Sequence, residues 1–93
     1  MAHTPLEELL AKLEKAKQLV EIGGHYTHYR APEHVYIVTG FGIDEDTEVV
    51  RVEYQRIDED PPIPWRRVLE GENGWTTPVE VDGKLVPRFT KVD

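Results

Sequence analysis

At Gly23-Gly24 the spacing of apolar residues changes, and this break divides the chain into a helical arm and a β region. Before it, Leu6, Leu9, Leu10, Leu13, Ala16 and Val20 recur in steps of three and four, the period of one helix face. After it, the period is two and short runs are punctuated by Pro and Gly, which is the pattern of strands. One helix followed by five short strands predicts a mainly β (α+β) fold, a small twisted sheet curled into a partly open SH3-like barrel. A four- or five-stranded α+β sandwich is the alternative. No segment repeats another.

The helix is predicted over 5–22. Thr4 is a capping residue, Pro5 at the first helical position loses no needed N–H, and Glu7 completes a capping box. Glu8 and Lys12 form an i,i+4 pair, Lys15 and Lys17 lie near the negative end of the dipole, and Gly23-Gly24 supplies the left-handed C-cap. Leu6, Leu13 and Val20 with Leu9 and Ala16 fall at the a and d positions of a seam that would pair two chains, but it is shorter than 3 to 4 heptads. Packing on its own barrel is the simpler use, and a helix-mediated homodimer is the alternative to a monomer.

His25 to Arg30 reads as the first strand and His34 to Gly42 as the second, with Ala31-Pro32-Glu33 as the turn between them. In Glu48 to Ile57, Val50, Val52 and Tyr54 face one side and Arg51, Glu53 and Gln55 the other. Asp44-Glu45-Asp46 is an exposed hairpin loop before it. Three prolines make 58–64 a connection, Trp65 to Leu69 a short strand or helical turn, and Gly71 to Gly74 another turn. Pro78 to Val81 and Lys84 to Phe89 flank Asp82-Gly83, a dipeptide suited to a type I′ hairpin.

Ninety-three residues allow one domain, 1–93, made of the helix and a β part over 23–90. With 39% hydrophobic and 31% charged residues it belongs with folded chains, and Met1 ahead of the capped helix leads us to expect a whole one. There is no Cys and no Ser, which removes thiol and serine nucleophiles, disulfides and cysteine metal sites. A net charge of −7 repels phosphate backbones and anionic lipid, leaving room only for a local basic patch. No apolar run approaches the roughly 20 residues of a membrane span and no secretory leader is visible, so the cytoplasm is the expected compartment.

The run Gly24-His25-Tyr26-Thr27-His28-Tyr29-Arg30, then Tyr36-Ile37-Val38-Thr39-Gly40, Glu48 to Tyr54, Trp65-Arg66-Arg67, and Val79 to Phe89 resembles the bacterial and phage domain-of-unknown-function family 1653. The resemblance covers about 23–90, and the leading Tyr-x-His-Tyr combined with the closing Val-Pro-Arg-Phe makes it specific. It departs at Ala31-Pro32, where the family commonly has Lys-Gly, and at Arg67-Val68, where it commonly has Arg-Pro. The resemblance implies a small β fold and adds no catalytic residue.

His25, His28 and His34 with Glu33 invite a metal reading, but strand residues three apart point to opposite faces, so no metal and no other cofactor is expected. Asp44, Asp46 and Glu48 lack the glycine and the final glutamate of a calcium loop, and Gly40-Phe41-Gly42 lacks the rest of a dinucleotide fingerprint. Pro61-Pro62-Ile63-Pro64-Trp65-Arg66 matches a proline-rich ligand pattern that is common by chance. The informative feature is the interleaving of aromatics with six arginines, all in the β part. The primary reading is a non-catalytic binding or adaptor module that contacts a protein or small molecule through Tyr26, His28, Tyr29, Arg30, Trp65, Arg66, Arg67 and Trp75. A nucleotide or single-stranded nucleic-acid binder using the same face is the second reading. The third, a small hydrolase or transferase, would need His28 with a carboxylate. The bland expectation is that Arg30, Arg51 and Arg56 pair with Glu53, Glu48 and neighbouring acids, while the tyrosines and one Trp fill the core.

Overall fold

The computed structural model of the chain describes residues 4–93; Met1, on which the whole-chain expectation rests, lies outside them. The helix α1 spans Leu6–Leu19 and is shorter than predicted at both ends. Pro5 occupies the N-cap and no side chain caps the helix, because Thr4 donates its hydroxyl hydrogen to the Glu48 carboxylate on the β part instead of closing a capping box. At the other end Val20 turns extended while its N–H still donates to the Ala16 carbonyl at 2.9 Å, so the helix stops before the glycines. Gly23, at φ +85°, serves the turn into the sheet, where its N–H donates to the Val38 carbonyl at 2.7 Å.

Seven strands follow: β1 His25–His28, β2 Ala31–Ile43, β3 Val50–Arg56, β4 Trp65–Val68, β5 Val79–Val81, β6 Lys84–Val86 and β7 Phe89–Lys91. Five form one antiparallel sheet in the order β4-β3-β2-β1-β7, and β5 and β6 form a separate hairpin. β4 and β7 are unpaired edges, so the sheet is open. The predicted strand ending at Phe89 is therefore two strands, and the break falls at Pro87, which has no N–H to continue a ladder. Asp82 and Gly83 both take positive φ, 51° and 79°, as a type I′ turn requires.

The predicted turn at Ala31-Pro32-Glu33 is corrected. The chain reverses at Tyr29-Arg30, and the register jumps from Thr27 opposite Val35 to His28 opposite Ala31. Pro32, Glu33 and His34 thus bulge out of the ladder within β2, where the missing donor of Pro32 costs nothing. β2 pairs with β1 through its first half and with β3 through its second, shifting register between Val38 and Gly40. A long strand shared in this way lets the sheet bend around one concave face.

That face holds the core. Cross-strand partners share a face, and the pairs Tyr26–Tyr36, Val38–Tyr54 and Val52–Arg67 all look inward with Phe89 opposite His28. Val52 and Tyr54 are buried as the alternation predicted. Ala16 of α1, Val20 at its C-cap, Leu69 and Trp75 complete the cluster. The second half of the helix is therefore docked on its own chain, while Leu6 and Leu10 nearer its start are exposed.

Candidate functional site

The residues singled out by the sequence separate into three places. Tyr26 and Trp75 belong to the core: their rings meet edge to face at 5.3 Å, and the Tyr26 hydroxyl accepts the Glu21 N–H at 3.0 Å. Arg66 projects from the outer face of β4 and is paired through Nε with Glu53 of β3 at 2.9 Å. Trp65 stands at the start of β4, 45% exposed. Only His28, Tyr29, Arg30 and Arg67 come together, at the end of the concave face where β1, β4 and β7 converge.

Phe89 organises this end. The His28 ring meets it edge-on at 5.0 Å and the Arg67 guanidinium sits 5.5 Å from its centroid, so β4 and β7 touch across the concavity without pairing. Arg67 Nη1 also donates to the Asn73 carbonyl at 2.8 Å. The Tyr29 N–H donates to the Arg88 carbonyl at 3.0 Å, tying the β1–β2 turn to the residue before β7, and Arg30 leans on the Tyr29 ring at 5.6 Å. Arg88 and Phe89 were not among the contact residues named from the sequence. The signal was available in the Val-Pro-Arg-Phe motif, where Pro87 breaks the strand and brings Arg88 to the β1 end.

The six arginines divide evenly. Arg51 is paired with Asp44 at 2.6 Å and Arg56 with Asp58 at 2.7 Å, as arginines expected to meet nearby acids, but Glu53 takes Arg66 and the acid partner expected for Arg30 is missing among the described residues. Among the described residues no carboxylate pairs with Arg30, Arg67 or Arg88, and the Nε atoms of Arg67 and Arg88 are buried with no hydrogen-bond partner. The three surround His28. Burial, and then the charges of Arg67, Arg88 and Arg30, lower the His28 pKa below its ordinary 6.5. His28 Nδ1 accepts the Arg30 N–H at 3.2 Å, which leaves the ring proton on Nε2, free to donate. No described carboxylate lies within hydrogen-bonding reach of His28, so the pair that a hydrolase would need is not assembled there.

These charges set a pH response. Just below pH 6.5 the unfolded chain holds a proton on His28 that the folded chain refuses, so stability falls as the pH drops through that window. In urea melts between pH 7 and 5 the wild-type domain is expected to lose stability on this account, and His28→Gln to show a flatter profile. An equal slope in both proteins would place the response elsewhere.

Other features carry less chemistry. A groove of about 270 Å³ between α1 and the β3–β4 end has a floor of Val50, Val68 and Leu69, and its lysines are engaged, Lys12 with the Glu48 carbonyl at 3.2 Å and Lys15 with Glu70 at 3.4 Å. Among the described residues no three His, Asp or Glu side chains gather as metal ligands; His25 pairs with Asp93 and His34 with Glu33. No described helix is long and apolar enough to cross a membrane.

A small open β sheet with an arginine-lined end to its concave face is the class of domain that these features define. The family described as "Protein of unknown function (DUF1653)" matches residues 24–91, which is most of the chain and leaves α1 outside the match. The chain belongs to that family. No curated protein and no solved structure matches it.

Proposed function

We propose that the chain is a non-catalytic binding module, an SH3-like partly open barrel that takes a protein or small ligand at the arginine end of its concave face. The SH3-like reading is supported by the way β7 returns beside β1 while β4 reaches toward it through Arg67. The observation that carries the functional reading is that three arginines without carboxylate partners stand around His28 in a chain of net charge −7. Acids are plentiful in this chain and the other arginines have them, so these three are held apart for something else. Tyr29 and His28, in contact at 4.7 Å, add aromatic surface beside the charges, which also suits a nucleotide or a single-stranded nucleic acid. The expected compartment is the cytoplasm.

The test is an amide NMR titration of the full chain with acidic peptides, mononucleotides and a short single-stranded oligonucleotide at two salt concentrations. Shifts confined to Tyr29, Arg30, Arg67, Arg88 and the His28 ring are expected from at least one of these. An oligonucleotide response that weakens with salt would favour the nucleic-acid reading, whereas silence of the whole cluster would reject the module as described.

A further inference from the structure

We propose that Arg30, Arg67, Arg88 and His28 form a binding site for a phosphate monoester, the terminal phosphate of a small phosphorylated molecule. The proposal rests on the binding-module reading and names its ligand chemistry. A guanidinium keeps its proton at any physiological pH, and at this end of the sheet three of them share no carboxylate, although the chain has 18 acidic residues against 11 basic ones. A carboxylate ligand would bring one negative charge, while a phosphate monoester brings close to two at neutral pH.

The Nε groups of Arg67 and Arg88 are buried without an acceptor, and a buried charged donor left unpaired is costly. His28 Nε2 is the ring nitrogen left to donate, and Arg30 adds further N–H groups from the exposed turn. The donors are carried on four separate segments, β1, β4, the β1–β2 turn and the residue before β7, and a tetrahedral group accepts from more directions than a planar carboxylate, which a single guanidinium matches edge-on.

Arg67 is braced by the Asn73 carbonyl and by Phe89, so it has little side-chain freedom left to lose when an anion arrives, and the backbone of Arg88 is anchored to the Tyr29 N–H. Arg66, the chain neighbour of Arg67, points to the opposite face and is already neutralised by Glu53, which makes it the internal control.

The experiment is an NMR titration of the full chain with inorganic phosphate, adenosine 5′-monophosphate, acetate and an acidic hexapeptide, each at the same ionic strength. Both phosphates are expected to shift the Tyr29 and Arg30 amides and the Arg67 and Arg88 Nε–H signals saturably, and to raise the His28 titration midpoint. Tighter binding of the nucleotide would identify a ligand with a ring beyond its phosphate, and equal binding a site for the phosphate alone. Arg67→Gln and Arg88→Gln should each weaken phosphate binding about tenfold, on the scale of one lost charge-assisted contact, and Arg66→Gln less than twofold. If these two variants fail to fold, Arg30→Gln, on an exposed turn, should still weaken binding severalfold. Saturation by acetate or the peptide with none by phosphate would overturn the phosphate assignment and leave the module standing. No response to any of the four would overturn the assignment, and silence extending to the wider panel would take the binding reading with it. An equal response of Arg66→Gln and Arg67→Gln would show general screening and also overturn it.

Discussion

Trp75→Ala is expected to destabilise the domain by about 3–5 kcal/mol, the range for truncating a buried Trp or Phe, whereas Trp65→Ala should cost about 1 kcal/mol or less. The contrast follows from placement. Trp75 is 4% exposed; its ring stacks on Phe89 with centroids 3.7 Å apart and receives the edges of Tyr26 and Tyr54 at 5.3 and 5.0 Å. No other described ring touches three aromatic side chains from three different strands. The turn before it makes this position possible, since a Cβ on Gly74 would lie 2.7 Å from the Glu70 backbone and the chain could not fold back so tightly with any other residue. The Trp75 N–H then donates to the Val68 carbonyl at 2.8 Å and continues the β4 edge into the core. Domains of this size are stable by about 5–15 kcal/mol, so the variant would lose a substantial part of that margin. Its melting temperature should fall by roughly 4–8 °C per kcal/mol lost. Urea denaturation followed by far-UV circular dichroism, which does not depend on the removed fluorophore, measures the difference. A neutral Trp75→Ala beside a costly Trp65→Ala would reverse the assignment of core and edge.

The two tryptophans illustrate what was legible in the sequence. Period and punctuation alone placed the helix, the acidic loop, the inward Val52 and Tyr54, and the Asp82-Gly83 turn, because each is decided by residues close together in the chain. What required distant partners was not visible there. Pro32 is a turn signal and also a bulge signal, and only pairing with β1 shows that the chain reverses two residues earlier. Arg66 and Arg67 are adjacent and read as a pair, yet the strand alternation sends one to Glu53 on the outside and the other to Phe89 on the inside. The alternation was predictable, but the register of β4 on β3 that sets which is which was not. Of the eight residues chosen from the sequence, the four that gather do so through Phe89 and Arg88, which come from the far end of the chain. Thr4 made a long-range bond where a local cap was expected, for the same reason.

Val20→Asp is expected to cost about 4 kcal/mol or more, combining roughly 1.5–2 kcal/mol of lost apolar burial with the burial of an unpaired charge. Val20 is 1% exposed, at the point where α1 gives way to extended chain, and together with Ala16 it is the part of the arm seated in the core. Burial would raise the introduced carboxyl above the usual carboxylate pKa, so the deficit should narrow as the pH falls from that raised value to about 4 and level off below it, where the group is neutral folded and unfolded alike. Leu10→Asp is the informative comparison. Leu10 is 51% exposed on the first half of the helix, and its replacement should change stability by about 0.5 kcal/mol or less if the arm is anchored only by its second half. A seam joining two copies would instead bury Leu6, Leu9 and Leu13 between helices, so that Leu6→Asp, at a residue 71% exposed on the single chain, would become costly and melting would depend on protein concentration. Leu6→Asp read at two concentrations beside the other two variants distinguishes the cases. A costly Val20→Asp with a tolerant Leu10→Asp and no concentration dependence places the helix as a strut of its own sheet. Through Ala16 and Val20 it shares one buried cluster with Val38, Val52 and Trp75.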